Sequence, residues 1–526
     1  MIQTDCLIIG GGLSGWMAAR ECVRAGLQTA LLQDGMGASP WVHGFNAPIH
    51  PEDSVGLFLE DTLKSGQGLS DPQLAQALCG DALEIFHELE EMGLSFNRKG
   101  EDYQLLRPLG ASKPRVASIG NETGVAVLKV LSQELEGSVK VYTGRALRLL
   151  KKGDRVCGAL AYFPESHSWE QFSAKSVILA CGGYCGIFPV STNKRDSGGD
   201  GIGMAYEAGA KLCDLEFIQF EPSASVWPPE LNGTSMITTL LYEGAVLRNR
   251  EGERFLLRYG PEGERIGKDV MARRIAQEVA EGHGTEHGGV FFDATAVGRE
   301  KLESDYSMYM ERYRSVHMDL ATEWIELGPA PHTALGGVVI DANCATSLNG
   351  LYACGEVVGG LHGANRIGGN AGLETLVFGR RAGKAAACYA QAAERCIPQE
   401  IQLSYGQSSI AEKLQDLRQA MQKALAEGLG AVRSGDQLSR SLVTLRALQA
   451  EAETLLGSSP EETFSLLRLR NDLTAAVLTA EAALNRTETR GCHTRSDTTQ
   501  PSPEKYRIIL RKSDNGSMVL QKEFLQ

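Results

Sequence analysis

The sequence has no long apolar run and few basic residues, and both shortages exclude classes of protein. No stretch approaches the roughly 20 apolar residues that a membrane helix needs, so we expect no transmembrane segment. Lysine and arginine number 52 against 65 acidic residues, and no basic cluster is interleaved with aromatic residues, which argues against nucleic-acid binding. The start lacks the pattern of a secretory signal. We therefore expect a cytoplasmic protein. Any attachment to the inner face of a membrane would be through a partner.

The 12 cysteines are scattered along the chain. Cys181 and Cys185 form the closest pair, but no second pair is spaced to complete a metal site with them. We expect most cysteines to be reduced core residues, and we predict no metal centre.

The order of the segments predicts an α/β protein with three parts. A buried strand, "DCLII", a glycine turn, "GGGLSG", a helix and the strand "QTALLQ" follow each other within about thirty residues, which is typical of a Rossmann-like dinucleotide-binding unit. We predict this domain over residues 1–222 and 339–400. Residues 223–338 read as an inserted α+β capping domain, and residues 401–526 as a C-terminal helical domain with a polar tail.

The glycine turn has the spacing G-x-G-x-x-G, formed by Gly10, Gly12 and Gly15. These glycines permit a tight turn, a close approach of backbone amides to a pyrophosphate, and packing of the helix on the strand. An acidic residue that holds the ribose is usually found about twenty residues further on. Gln33 stands at the expected strand end, so an amide can make that contact instead.

Four motifs occur together in one order: the glycine turn, "ACGGYCGIFPVSTNKRDSGGDGIGMAYEAGA", "GLYACGEVVGGLHGANRIGGNAGLETLVFGRRAG" and "TRGCHTRSD". Together they resemble the flavoprotein family of succinate dehydrogenase, fumarate reductase and L-aspartate oxidase. The resemblance implies an FAD cofactor. The residues that it assigns to the cofactor are Gly10, Gly12, Leu13, Ser14, Gly15, Gln33, Ser39, Gly44, Ala180, Gly182, Thr192, Asn193, Asp200, Glu356, Asn370, Gly372 and Leu373.

The covalent attachment of FAD, found in part of this family, is not expected. The histidine that forms the bond would stand where this chain has Ala38, and His43 follows several residues too late. We therefore predict non-covalent FAD.

The resemblance also implies a carboxylate substrate between the two domains. The arginine of "HGANR", Arg366, and the histidine of "PHTALGG", His332, match the family residues that grip one carboxylate. A guanidinium offers a planar fork of donors that suits a carboxylate, in a site otherwise lined by backbone amides.

Two positions depart from the family pattern. Glu221, in "QFEP", replaces a second substrate-binding histidine, and Lys268, in "GKDVMARR", replaces the arginine that exchanges a proton with the substrate. Glu243 matches the glutamate that supplies protons to that arginine. Either the substrate offers Glu221 an amine, hydroxyl or amide, or Glu221 neutralises Lys268. Arg273 and Arg274 could replace the lost guanidinium only if their helix were rotated or shifted.

Three functions follow from this pattern. The first is hydride transfer between FAD and a small carboxylate, oriented by Arg366 and His332, with Lys268 and Glu243 handling the proton. The second is a subunit that holds FAD and passes electrons to a separate iron-sulfur subunit. The third is an L-aspartate oxidase, which Glu221 and Lys268 disfavour.

Overall fold

The computed structural model describes residues 1–108 and 110–525. Its centre is a parallel five-stranded sheet with four buried strands, as expected for a sheet covered on both faces, and one mostly exposed edge strand, Lys140–Thr143. The strand order is Leu351–Ala353, Ser176–Leu179, Cys6–Ile9, Thr29–Gln33, Lys140–Thr143. The first helix, Leu13–Arg24, follows the strand Cys6–Ile9 through the glycine turn. This is the Rossmann-like unit that the sequence predicts.

The first helix and the helix Asn370–Ala392 pack closely because two glycines face the contact. A Cβ on Gly379 would lie 2.6 Å from the backbone oxygen of Ser14, and a Cβ on Gly383 would lie 2.5 Å from that of Ala18. The other helices of this domain are Val55–Ser65, Pro72–Glu91, Thr123–Glu134 and Asp200–Ala208. A second sheet has the order Ile2–Gln3, Ser168–Ser173, Arg155–Phe163, Arg145–Lys152, and two strand pairs are formed by Phe45–Asn46 with Val116–Ala117 and Arg98–Lys99 with Asp102–Tyr103.

The cap has its own antiparallel sheet and its own hydrophobic core. The sheet order is Ile218–Trp227, Ile325–Ala334, Val290–Asp293, Val246–Arg248, and the helices are Lys268–Glu278, Arg299–Asp305 and Ser307–Arg314. Buried residues of this core, including Met271, Phe292 and Tyr313, form a cluster separate from that of the main domain. The long strand Ile218–Trp227 starts in the main domain and carries residues of the site into the cap.

The C-terminal part contains the helices Ala411–Gly428, Gly435–Thr454 and Pro460–Asn485, as the helical pattern predicts. The tail is not helical: Tyr506–Lys512 and Met518–Phe524 form a hairpin. That hairpin extends a sheet of the main domain, in the order Val358–Gly359, Gly337–Val339, Leu212–Cys213, Tyr506–Lys512, Met518–Phe524. All five residues of "YRIIL", including Arg507, are buried there, although the composition of the tail as a whole is polar.

Two strands run across the predicted bounds of the parts. The cap strand Ile218–Trp227 begins before residue 222, and Gly337–Val339 pairs with Leu212–Cys213 of the main domain. No helix within the described ranges is long and apolar enough to cross a bilayer.

Candidate active site

The glycine turn is held so tightly that side chains are excluded from it. Gly10 has φ of +122°, and a Cβ there would lie 2.1 Å from the backbone oxygen of Ala180. A Cβ on Gly15 would lie 1.9 Å from the oxygen of Gly10. The amide of Leu13 donates to Ser39 Oγ at 2.9 Å, so Ser39 stands at the helix N-terminus, where an anion is favoured. The turn and this loop fit a pyrophosphate.

Gln33 supplies the amide that the sequence places at the ribose position. Its Oε1 is buried and has no hydrogen-bond partner among the described residues. A buried acceptor of this kind is unfavourable unless a ligand donates to it. The neighbouring Asp34 is instead paired with Arg145 at 3.1 Å. The orphaned oxygen therefore fits a ribose hydroxyl.

The N-terminus of Asn370–Ala392 meets the loop around Gly44. A Cβ on Gly372 would lie 2.9 Å from the oxygen of Gly44, so both chains approach as bare backbone. The side chain of Asn370 is used inside the protein, where it accepts from Asn46 at 2.6 Å. Leu373 is fully buried in the core. At Asn370 and Leu373, the backbone groups are therefore the ones left to contact a cofactor.

Asp200 uses its side chain inside the protein. Its carboxylate accepts from Arg145 at 2.7 Å and from Asn471 at 3.2 Å, so it joins the main domain to the C-terminal helices. Its contact with the cofactor stays a prediction. Ser14 is buried beside Gly355, and Gly182 has φ of +76° with open space at the Cβ position. Open space therefore lies beside Gly182, and its cofactor contact stays a prediction.

Glu356 is a buried carboxyl group between the cofactor and substrate motifs. It accepts from the amide of Ala334 at 3.1 Å, and Asn193 Nδ2 lies 3.4 Å from it. Burial raises the pKa of Glu356 to about 7, against the hydrogen bond from Ala334 and the charge of Arg366. Asn193 also donates to the backbone oxygen of His332 at 3.0 Å, so it links the two motifs.

Arg366 is partly buried, and its fork is oriented by an amide. Its Nε and Nη2 donate to Gln219 Oε1 at 3.2 and 3.0 Å. Within the described ranges it has no carboxylate within ion-pair distance. Burial lowers the pKa of Arg366, and the nearby charge of Glu356 opposes that change. A guanidinium with free donors in such a place is a site for an anion.

His332 is turned into the site by an irregularity between two cap strands. Gln219 pairs with Thr333 and Phe220 with Pro331, so His332 is the extra residue of a bulge. Bulges commonly re-aim side chains beside active sites. Its Nδ1 lies 2.9 Å from Thr192 Oγ1. Burial lowers the pKa of His332 to about 4, with Arg366 and Lys268 adding to the effect against Glu221. The ring is therefore neutral near pH 7.

Glu221 and Lys268 form an ion pair across the pocket. Lys268 Nζ donates to Glu221 Oε2 at 2.6 Å. Ser223 Oγ lies 2.8 Å from Glu221 Oε1 and 2.7 Å from the backbone oxygen of Met236, and its single proton can go to either acceptor. Burial opposes ionisation of Glu221, but Lys268 and His332 outweigh it, so its pKa is lowered. Of the two interpretations of Glu221, this contact favours neutralisation of Lys268.

Glu243 does not contact Lys268. Its carboxylate pairs with Lys301 at 3.1 Å, and together with Tyr242 it lines an outer groove of the cap. The prediction that Glu243 supplies protons to Lys268 therefore has no contact to support it, because Glu221 takes that position. Arg274 lies over the ring of Tyr259 at 3.7 Å, so it is not turned toward Glu221. Burial and the charge of Arg274 lower the pKa of Arg273, against the charge of Asp269.

Three residues of the site are absent from the sequence prediction. Gln219 and Ser223 flank Glu221 at two-residue spacing, and the alternation of a strand would have placed them on its face. His43 is brought in by the fold alone. Burial lowers its pKa, and the charges of Lys268 and Arg312 add to the effect.

Comparisons with known proteins agree with this arrangement of a capped dinucleotide site. The FAD binding domain family matches residues 5–371, and the family described as fumarate reductase flavoprotein C-term matches residues 418–520. Among relatives, a subunit of the fumarate reductase (CoM/CoB) from Methanothermobacter marburgensis is 34% identical over 97% of both chains. L-aspartate oxidase from Caulobacter vibrioides is 34% identical over 93% of both chains. The FrdA chain of E. coli quinol fumarate reductase superposes with a TM-score of 0.91 and 25% identity, covering 99% of this chain and 96% of that one.

The fold and the site define an FAD-dependent oxidoreductase of the kind that acts on CH-CH or CH-NH groups. The chain belongs to the flavoprotein family of fumarate reductase, succinate dehydrogenase and L-aspartate oxidase.

Proposed function

We propose that this oxidoreductase acts on a small carboxylate, which Arg366 and His332 orient and to which Lys268 delivers or from which it removes a proton. The observation that carries this proposal is Arg366, whose fork is oriented by Gln219 with no carboxylate in reach within the described ranges. A site that holds a guanidinium in this state is prepared for an anionic ligand.

FAD, held without a covalent bond by the glycine turn, Gln33 and the loop of Gly44, supplies hydride transfer when it is bound. The absence of a histidine at Ala38 supports the non-covalent mode. The chain's own residues then have to position the carboxylate and move one proton.

His332 binds a carboxylate as a neutral donor. To donate through Nε2, the neutral ring must accept a hydrogen bond at Nδ1, and the Thr192 hydroxyl at 2.9 Å can donate it. Thr192 Oγ1 also lies 3.4 Å from the backbone oxygen of Pro331, and donation of its proton to the nearer Nδ1 is what would fix the tautomer. Arg366 provides the positive charge that attracts the carboxylate, and His332 provides a hydrogen bond that orients it.

Lys268 is the candidate acid or base. Glu221 stabilises its ammonium form, so the resting site holds a proton ready for a substrate carbon. Removal of that proton leaves a buried carboxylate with Ser223 as its remaining donor. The arrangement therefore favours Lys268 as a proton donor, which is the direction of substrate reduction.

The test is anaerobic flavin spectroscopy of the purified yellow protein with saturated and unsaturated dicarboxylates, tricarboxylates and amino acids. We expect one carboxylate to bleach the oxidised flavin or to reoxidise the reduced flavin. Lys268→Met should abolish that turnover, while Lys301→Met, which removes a surface lysine paired with Glu243, should not. Unchanged turnover in Lys268→Met would refute the proton role, and no response to any carboxylate would refute the proposal.

A second candidate is an FAD-holding subunit of a larger complex. Met36 and Trp41, which flank Ser39, are 52% and 56% exposed, and apolar exposure of this kind suits a protein partner. The archaeal relative is itself named as a subunit. An iron-sulfur protein would be the partner, and membrane attachment would occur through it. Co-purification of a cluster-containing protein that Trp41→Ser abolishes would support this candidate.

L-aspartate oxidase activity is the third candidate, since several relatives carry that name. Bleaching of the flavin by L-aspartate with release of peroxide would establish it. Lys268 at 2.6 Å already neutralises Glu221, the group that could have met a substrate amine.

A further inference from the structure

Gln219 is the side chain through which the cap strand Ile218–Trp227 holds Arg366. Its Oε1 accepts from Nε and Nη2 of Arg366 at 3.2 and 3.0 Å. Its Nε2 donates to the backbone oxygen of Arg366 at 3.2 Å and to Asn365 Oδ1 at 3.1 Å. Gln219 is 3% exposed, and both protons and both lone pairs of its amide are used. One neutral group therefore fixes the guanidinium and the loop that carries it.

The two contacts with Arg366 allow one orientation of the Gln219 amide. A guanidinium can only donate hydrogen bonds, and a backbone oxygen can only accept them. A reversed amide would place its NH2 group against the guanidinium and its oxygen against the backbone oxygen of Arg366. The amide oxygen therefore faces the guanidinium, and Asn365 Oδ1 is a second acceptor for the NH2 group.

The fold keeps carboxylates away from Arg366. Within the described ranges no carboxylate lies within ion-pair distance of its guanidinium, although the site contains three acids. Each of these acids is bound to another donor or cation. The pairs are Glu356 with the amide of Ala334, Glu374 with His362, and Glu221 with Lys268. The side-chain acceptor that Arg366 does use is a neutral amide, so its positive charge is left uncompensated.

Gln219 also connects Arg366 to the strand that carries His332. The backbone of Gln219 pairs with Thr333, the residue that follows His332 on the bulge. One residue thus borders both groups that the proposed function assigns to the carboxylate. A change of the Gln219 side chain alters the contacts of Arg366 and leaves the backbone pairing beside His332 in place.

We propose that Gln219 is a positioning residue of the anion site, and that its neutral amide keeps the charge of Arg366 available to the substrate. The inference rests on the proposed function, since it takes Arg366 as the group that binds a carboxylate. A glutamate at position 219 would have the same shape, but it would form a bidentate ion pair with the guanidinium. The site would then contain its own counter-ion, and an anionic substrate would be attracted less.

The test compares acids with their neutral amides on the FAD-loaded protein. The pairs are fumarate with fumaramide and crotonate with crotonamide, and any other carboxylate that perturbs the flavin spectrum of the wild type is added with its amide. Binding is measured from that spectrum and from the shift in melting temperature. We expect the wild type to prefer the acid. Gln219→Glu should lower this preference by about tenfold to 100-fold, as expected for the loss of charge-assisted hydrogen bonds.

Gln219→Met separates positioning from charge. Methionine has a similar size and removes the acceptor, but it adds no charge, so Arg366 remains a cation with a less fixed orientation. The affinities for the acid and for the amide should both fall by about fivefold to tenfold, while the preference for the acid is kept. A purely structural role of Gln219 would give the same result in both variants.

Gln171→Glu is the matched control for the change from amide to carboxylate. Gln171 lies in a different sheet, on the strand Ser168–Ser173, and exchanges two hydrogen bonds of 3.2 Å with the backbone of Ile401. This variant should leave the preference for the acid unchanged. Flavin content is measured in all variants, so that a loss of FAD is distinguished from a loss of anion binding.

The outcomes separate this inference from the proposed function. If acids bind to the wild type and Gln219→Glu changes the preference by less than twofold in every pair, the inference is overturned while the proposed function stands. If no carboxylate perturbs the flavin spectrum of the wild type, both are overturned. Should Gln219→Glu fail to retain FAD, unchanged acid affinity in Gln219→Met overturns the inference. A loss of preference in Gln219→Glu alone, with equal flavin content, supports it.

Discussion

Replacement of Lys268 by methionine tests the central ion pair of the site. Glu221 is 3% exposed and Lys268 is 32% exposed, so the substitution leaves a buried carboxylate without its counter-ion. Removal of one partner from a buried pair costs about 3–5 kcal/mol. Because Lys268 is partly open to water and Ser223 remains as a donor, we expect a smaller loss, about 2–3 kcal/mol at pH 7.5.

The loss of folding stability caused by Lys268→Met should increase with pH. In the wild type the pKa of Glu221 lies below its unfolded value of about 4.3, so the pair stabilises the fold above that pH and the stabilisation is lost on acidification. In Lys268→Met, burial without a counter-ion raises the pKa of Glu221 above the unfolded value, so the variant loses stability as the pH rises. The difference between the two proteins should be small at pH 4.5 and largest near pH 7.5.

Urea unfolding at both pH values, followed by tryptophan fluorescence and circular dichroism, measures this difference. The double variant Lys268→Met with Glu221→Gln removes the unpaired charge and should recover most of the stability without recovering turnover. An equal penalty at both pH values, or a double variant no more stable than the single one, would refute the ion-pair reasoning. Recovered turnover in the double variant would refute the proton role of Lys268.

Two further predictions concern the cofactor and the carboxylate anchor. Gly10→Ala should yield protein largely free of FAD, judged by the ratio of flavin to protein absorbance, because its Cβ would lie 2.1 Å from the oxygen of Ala180. Gly93→Ala, at φ of +92° with open space around it, should keep FAD and lose only about 1 kcal/mol of stability. Thr192→Val should weaken carboxylate binding about fivefold to tenfold, because it releases the tautomer of His332. Thr192→Ser keeps the hydroxyl and should bind the carboxylate as the wild type does. Titration of the flavin spectrum measures both variants, and equal carboxylate affinities of the two would contradict the assignment.

The sequence predicted the elements whose signals are local. The glycine turn was recognised because it directly follows an apolar strand in the sequence. The helices of residues 411–485 were recognised from their own spacing of apolar residues. The Arg366 motif carried the family resemblance because glycines and one cation stand in a fixed order. The hairpin at Tyr506–Lys512 was missed because its apolar residues are buried against a strand nearly 300 residues earlier in the chain.

The amino-acid sequence by itself determined the cofactor class and the family, since each depends on residue types at short and fixed spacing. The carboxylate anchor Arg366 was predicted in the same way and stays a prediction. Only the tertiary structure decided which acid serves Lys268. By sequence, both Glu221 and Glu243 could have contacted Lys268. In the structure the strand Ile218–Trp227 turns Glu221 into the pocket, where it binds Lys268, and Lys301 holds Glu243 on the outer side of the cap. The same strand contacts both Arg366 and Lys268, which come from two distant segments of the chain. The sequence does not show which charged side chains lie near each other in the cleft, because the packing of the cap on the main domain sets those distances.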